Sequence, residues 1–214
     1  EGAGLHSAIW ARGGALSVRT VSTPAGETSW KVVRADGSEA GALASRAEAP
    51  PFAPNLELLR LGGEHDFAAA VLRPRNFDAR LRYPVIVHVY GGPLSQTVTA
   101  AGERYLLQQW IADHGFVVVS IDGRGTPGRG RAWERAIRGN LADVPLADQV
   151  AGLRLLGARL PELDLDRVGI YGWSFGGYFS ALAVMRAPEV YRVGVAGAPV
   201  ADWLDYDTHY TERY

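Results

Sequence analysis

The chain has 214 residues, 47% of them hydrophobic and 21% charged, which suits one to two domains with a buried core. A formal net charge of -1 gives no electrostatic footing for nucleic acid or an anionic membrane. The absence of cysteine excludes disulfides, thiolate metal sites and cysteine nucleophiles.

The first fifty residues read as β. Ala8-Ile9-Trp10-Ala11 is a short apolar run that ends in the turn Arg12-Gly13-Gly14. Residues 15–20 alternate in part between apolar and polar, Pro24-Ala25-Gly26 makes a second turn, and Trp30-Lys31-Val32-Val33 is a third strand closed by Asp36-Gly37. Three short strands between regular turns suggest a sandwich or a propeller blade, and such a set is marginal alone, so partners are expected elsewhere. No second copy of the unit occurs, so no internal repeat is claimed. Residues 41–54 are rich in alanine, proline and charge and are expected to form a linker, with a domain boundary near residue 50.

Beyond the linker the pattern changes. Strands are expected at 56–60, 67–72, 84–90, 116–121, 167–171 and 192–196, the run Phe116-Val117-Val118-Val119-Ser120-Ile121 being almost wholly apolar. Helices are expected at 101–113, at 146–160 with Pro145 suited to the first helical position, and at 175–185. In the second helix Leu146, Val150, Leu153 and Leu156 share the spacing of one face. Buried strands alternating with helices imply an α/β fold with a mostly parallel sheet.

Gly172-Trp173-Ser174-Phe175-Gly176 fits G-x-S-x-G between the apolar strand Val168-Gly169-Ile170-Tyr171 and a helix. Chemistry asks for this spacing: the serine sits in a sharp, strained turn, and glycines two residues either side let strand and helix approach. The helix N-terminus offers amide donors to a developing oxyanion. The competing reading makes Ser174 an ordinary helix N-cap. His88 reads as a core histidine, and His6, His65 and His114 lack metal-ligand spacing. Asp122-Gly123-Arg124-Gly125 reads as a structural turn rather than a catalytic element.

Gly172-Trp173-Ser174-Phe175-Gly176-Gly177-Tyr178 resembles the nucleophile motif of the prolyl oligopeptidase family of serine peptidases. Three further segments resemble its dipeptidyl peptidase IV branch: Val89-Tyr90-Gly91-Gly92-Pro93, Asp122-Gly123-Arg124-Gly125, and Ala198-Pro199-Val200-Ala201-Asp202-Trp203 running into Tyr206 to Tyr214. The resemblance is strong over residues 55–214, and residues 1–50 look like the last strands of that family's β-propeller. It implies a partial α/β-hydrolase domain at 51–214 after propeller strands at 1–50. It further implies a peptide substrate, no cofactor and no metal, and it is compatible with a homodimer of a full-length parent. Ser174 is then the acyl-forming nucleophile, and Tyr90 and the Phe175 amide are the oxyanion donors. Phe175, Val200, Trp203, Tyr206 and Tyr210 wall the pocket that takes proline or alanine, with Asp207 and Arg213 as supports. The resemblance thus implies release of N-terminal dipeptides. Another α/β-hydrolase (an oligopeptidase, acylaminoacyl peptidase or esterase) or a non-catalytic homologue are the alternatives.

This branch usually has tyrosine where the chain has Phe175, a change that keeps the backbone donor and removes a hydroxyl from the pocket. Asp202, Asp205, Asp207 and His209 follow Ser174 in the chain order of a triad, yet the resemblance assigns the acid and base to later strand ends. The chain opens on Glu1 rather than Met and closes on Tyr214 without a stop signal, so an interior slice of a longer protein is expected. No apolar run reaches the roughly 18 residues of a membrane span. A periplasmic or secreted location is favoured over a cytoplasmic one.

Overall fold

The computed structural model describes residues 3–214. It opens on an antiparallel meander of four strands in the order β1-β2-β3-β4. These are β1 (Leu5–Trp10), β2 (Leu16–Ser22), β3 (Thr28–Arg34) and β4 (Glu39–Leu43). Turn chemistry sets the register. Gly13, Gly14, Gly26 and Gly37 all take positive φ, and the Asp36 carboxylate accepts the Ser38 amide at 2.9 Å in the last turn.

Sequence reasoning expected three strands here and placed the linker from residue 41, and the structure corrects both. Glu39-Ala40-Gly41-Ala42-Leu43 pairs with β3 although it holds no β-branched residue. The Asp36-Gly37 turn returns the chain alongside β3, and the Lys31 ammonium meets the Glu39 carboxylate at 2.8 Å. The backbone ladder therefore overrides a weak side-chain preference.

A six-stranded sheet follows, ordered β10-β9-β7-β8-β6-β5. Its strands are β5 (Leu56–Arg60), β6 (Ala68–Leu72), β7 (Tyr83–His88), β8 (Val117–Asp122), β9 (Leu163–Trp173) and β10 (Val193–Gly197). β5, β6 and β8 pair antiparallel, whereas β8, β7, β9 and β10 run parallel. The helices are α1 (Leu106–Ala112), α2 (Arg131–Arg135), α3 (Asp143–Arg159), α4 (Phe175–Arg186) and α5 (Thr208–Arg213). A 3₁₀ turn, Gly102–Tyr105, leads into α1, so the expected single helix from 101 is split in two.

Alternation along β8 explains how the sheet is covered. Val117, Val119 and Ile121 join the larger core with Leu153 and Leu156 of α3 and Phe179 of α4. Val118 points the other way, into a smaller core with Tyr105 and Ala112 on the α1 side. Helices on both faces account for the unbroken apolar run.

Helix α3 differs from expectation in two respects. It starts at Asp143, where the Asn140 side chain accepts the Asp143 amide at 2.8 Å, so Pro145 takes the third position rather than the first. Proline fits there because the first four helical amides have no intrahelical acceptor. The buried face also runs through Asp148, Gln149 and Gly152, leaving Leu146 and Val150 at its margin. Gln149 donates to the Ile121 carbonyl at 2.7 Å, and a Cβ on Gly152 would lie 2.9 Å from the Ile121 side chain. A close helix–sheet approach thus displaces the simple apolar stripe.

Candidate active site

β9 runs out of the sheet at Trp173, and α4 begins at Phe175, leaving Ser174 alone in the turn. Its backbone sits at φ 58 and ψ -117, a region costly for any residue with a Cβ. Only glycine fits around it. A Cβ on Gly172 or Gly176 would collide with the Val89 carbonyl oxygen, and one on Gly177 with that of Gly197. The Ser174 amide donates to the Gly197 carbonyl at 2.9 Å, tying the elbow to the end of β10.

The Ser174 hydroxyl makes no capping hydrogen bond to α4, which removes the ordinary N-cap reading. The Phe175 amide is the first of the helix and has no acceptor within it. A half-buried hydroxyl and a free helical amide therefore share the C-terminal edge of the parallel strands, where α/β sheets hold their ligands.

Four non-glycine residues among those described take positive φ: Asp66, Leu94, Ser174 and Ala198. Ser174 and Ala198 follow β9 and β10, and Leu94 lies in the loop that leaves β7. Strain of this kind costs on the order of 1–3 kcal/mol per residue and persists only where the surrounding structure over-determines it.

Tyr90 starts the loop after β7, and its ring lies 5.6 Å from that of Phe175. Gly92 crosses directly over the Phe175 ring, where a Cβ would collide. Phe175 is only 1% exposed, so the residue after the nucleophile is a floor for this loop. Burial, then the nearby Tyr206, raises the Tyr90 pKa above the usual phenol value. The hydroxyl accordingly stays protonated, and able to donate, throughout the neutral range.

The aromatic side chains form one continuous chain of contacts. Phe175 meets Trp203 at 5.7 Å, Trp203 stacks on Tyr210 at 5.9 Å, and Tyr206 meets Tyr210 edge-on at 5.2 Å. Tyr210 is 9% exposed, and burial raises its pKa, reinforced by the neighbouring Tyr90 hydroxyl. Val200 lies half-buried three residues before Trp203.

Two members of the cluster carry no role in the sequence reading. Tyr178 meets Trp203 at 5.2 Å, and Tyr214 meets Tyr210 at 5.0 Å. Helical spacing could have found both. Tyr178 lies three residues beyond Phe175, and Trp203, Tyr206, Tyr210 and Tyr214 follow steps of three, four and four.

The acidic residues after Ser174 serve the backbone. Asp202 caps a 3₁₀ turn by accepting the Leu204 amide at 2.9 Å, and Asp207 caps α5 by accepting the Tyr210 amide at 2.8 Å. Asp205 and His209 are exposed. The Arg213 guanidinium sits 5.3 Å from the Tyr214 ring centroid. His88 stacks on Tyr171 at 5.0 Å and contacts Ser120 and Gln108, and burial pulls its pKa down to about 4. Among the described residues no helix is long and apolar enough to cross a membrane.

Comparison with known proteins matches residues 104–214 to the prolyl oligopeptidase family. Dipeptidyl peptidase 8 of Homo sapiens is 44% identical over 144 residues, 66% of this chain and 16% of the human protein. The Mus musculus protein of the same name is 43% identical over the same length, again 66% of this chain and 16% of the relative. The crystal structure of Porphyromonas gingivalis dipeptidyl peptidase 4 superposes with a TM-score of 0.87 at 32% identity, covering 99% of this chain and 31% of that one. The chain thus spans less than a third of each of these relatives.

Proposed function

As the chain belongs to the prolyl oligopeptidase family, we propose that it carries the nucleophile and oxyanion donors of a serine peptidase of dipeptidyl peptidase type. Its fold class is that of an α/β-hydrolase domain preceded by β-propeller strands, and we place the boundary between them near residue 50. The strained backbone of Ser174, φ 58 at the head of α4, is the observation that carries the reading.

In the reaction, Ser174 Oγ attacks the scissile carbonyl carbon and its proton passes to a base. The carbonyl oxygen becomes an oxyanion held by the Tyr90 hydroxyl and the Phe175 amide. Collapse expels the amine, which takes up the proton, and leaves an acyl-enzyme that water hydrolyses. We assign the base and its carboxylate to residues outside this chain, because Asp202 and Asp207 are engaged as caps and His209 is exposed.

The substrate is a peptide with proline, or alanine, second from its amino terminus. Support comes from the aromatic cluster of Trp203, Tyr206 and Tyr210, with Phe175, expected from the sequence as a wall, buried behind it under Gly92, since a flat apolar ring recovers burial energy between aromatic faces. We assign Val200, half-buried three residues before Trp203, to the same wall.

The test uses protein expressed from the whole gene with Gly-Pro and Gly-Leu chromogenic amides. Wild type is expected to prefer Gly-Pro, and Ser174→Ala to lower kcat on it by roughly a million-fold. Retained turnover in a protease-free preparation would remove Ser174 from the mechanism, and an even preference would remove the proline assignment.

A further inference from the structure

Asp122 ends β8 on the edge of the sheet that carries Ser174 and Tyr90, and it is 3% exposed. No arginine, lysine or histidine among the described residues pairs with it; Arg124, two residues on, is held by Asp148 at 2.7 Å instead. The carboxylate accepts three hydrogen bonds, all from one short stretch of the loop after β7. Oδ1 takes the Thr97 amide at 2.9 Å and the Thr97 hydroxyl at 2.8 Å, and Oδ2 takes the Val98 amide at 3.0 Å. Burial raises the Asp122 pKa, while these three donors act in the opposite sense. A buried carboxylate held only by neutral donors costs stability, and apolar packing would serve a purely structural strand end better.

The loop it grips is the one that presents Tyr90. On the near side Tyr90 is fixed by its neighbour, because the Val89 amide donates to the Tyr171 carbonyl at 2.9 Å. From Tyr90 the chain passes through Gly91 at φ 74, over Phe175 at Gly92, and through Leu94 at φ 71. Such a path has no regular secondary structure to hold it. At its far side stand Asp122 and Tyr105, whose hydroxyl donates to the Thr97 carbonyl at 2.9 Å and accepts the Thr99 amide at 2.8 Å. Tyr105 holds carbonyls and one amide, whereas Asp122 alone takes the amides of Thr97 and Val98.

We infer that Asp122 is a positioning residue for the oxyanion donor: by gripping Thr97 and Val98 it sets how closely the Tyr90 loop lies over the head of α4. This rests on the assignment of Tyr90 made above. A displacement of about 1 Å in a catalytic group can cost roughly 100-fold in rate, so a loosened loop acts on turnover and leaves ground-state binding in place.

Four proteins expressed from the whole gene test it: wild type, Asp122→Asn, Tyr90→Phe and the double variant. In Asp122→Asn the carboxamide nitrogen faces an amide donor, and one grip is lost. kcat on a Gly-Pro amide is expected to fall about 100-fold with KM unchanged. In the Tyr90→Phe background the same substitution is expected to change kcat less than about threefold, because the donor it positions is gone. Thr97→Val, which removes one donor and keeps the side-chain shape, is expected to show the same pattern at about tenfold, and it decides the matter if Asp122→Asn does not fold. Equal losses in both backgrounds, or a loss confined to KM, would overturn the inference while leaving Tyr90 in place. If Tyr90→Phe leaves kcat untouched, the assignment of Tyr90 fails and takes the inference with it.

Discussion

The two sheets of this chain are held together in opposite ways. In the four-stranded meander only Ser17, Ser22 and Val33 are buried, and Ile9 and Trp10 stand open to solvent. Its order comes from ladder hydrogen bonds and turns that need glycine. In the six-stranded sheet every residue of β8 is buried, with helices on both faces. A sheet built on turns can change most of its side chains freely but not its turn glycines, whereas the second sheet tolerates little change in either its buried side chains or its close-packed glycines. The candidate site lies wholly on the second sheet, because a strained serine and a buried carboxylate both need a stable frame to hold them.

Matched substitutions can break this contrast, and the largest effect is expected from two isoleucines. Ile170 in β9 is 2% exposed and Ile9 in β1 is 75% exposed. Ile170→Ala is expected to cost about 2–5 kcal/mol, and Ile9→Ala less than about 0.5 kcal/mol, in denaturant unfolding of the whole-gene protein. Equal costs would mean that another part of the protein packs on β1.

His88 gives a pH-dependent measure of the buried sheet. Its folded pKa of about 4 lies below the ordinary 6.5, so the unfolded chain binds the proton first. Stability should therefore fall as pH drops from about 6.5 towards 4 and level off below, with roughly 2 kcal/mol lost by pH 5. Thermal unfolding at pH 7.5 and pH 5 measures this loss, and His88→Gln should reduce the difference. If the variant shows the full loss, other groups dominate the acid response.

The smallest effect belongs to the meander. Gly37 takes φ 87 in the β3–β4 turn, while a Cβ on Gly41, in β4, would meet nothing within 4 Å. Gly37→Ala is expected to cost about 1–2 kcal/mol, and Gly41→Ala a few tenths at most. Similar melting shifts for the two would show that turn geometry does not hold this sheet.

The same contrast decides what could be read in the sequence. Strands β6 to β8 and the second half of β9 are apolar runs, visible because burial writes itself into residue type, and β10 is apolar as well although it stands exposed at the sheet edge. β4 was hidden, since Glu39 to Leu43 form a strand by pairing alone. α2 and α5 have five and six residues, too short for periodicity to register. At the site, the Ser174 elbow was legible because steric demand puts glycine at fixed offsets. The aromatic wall came through family resemblance, although the spacing of Tyr178 and Tyr214 was there to be noticed. Asp122 looked like part of a turn, and no local pattern could reveal it, since its partners lie 24 and 25 residues away.

The strand order also has a history in time. β7 lies between β8 and β9, yet both are made after it. At about 5–20 residues per second on the ribosome, the stretch from His88 to Leu163 takes roughly 4–15 s to appear. Throughout that interval Tyr83, Val85 and Val87 have no native neighbour on the β9 side. An apolar strand waiting for its partner can meet the same strand on another nascent chain. Arg80 and Arg82, exposed just ahead of it, supply charge where such an encounter would begin. Charge in that position is of the kind that flanks apolar strands and discourages such encounters, and its use would end once β9 has docked.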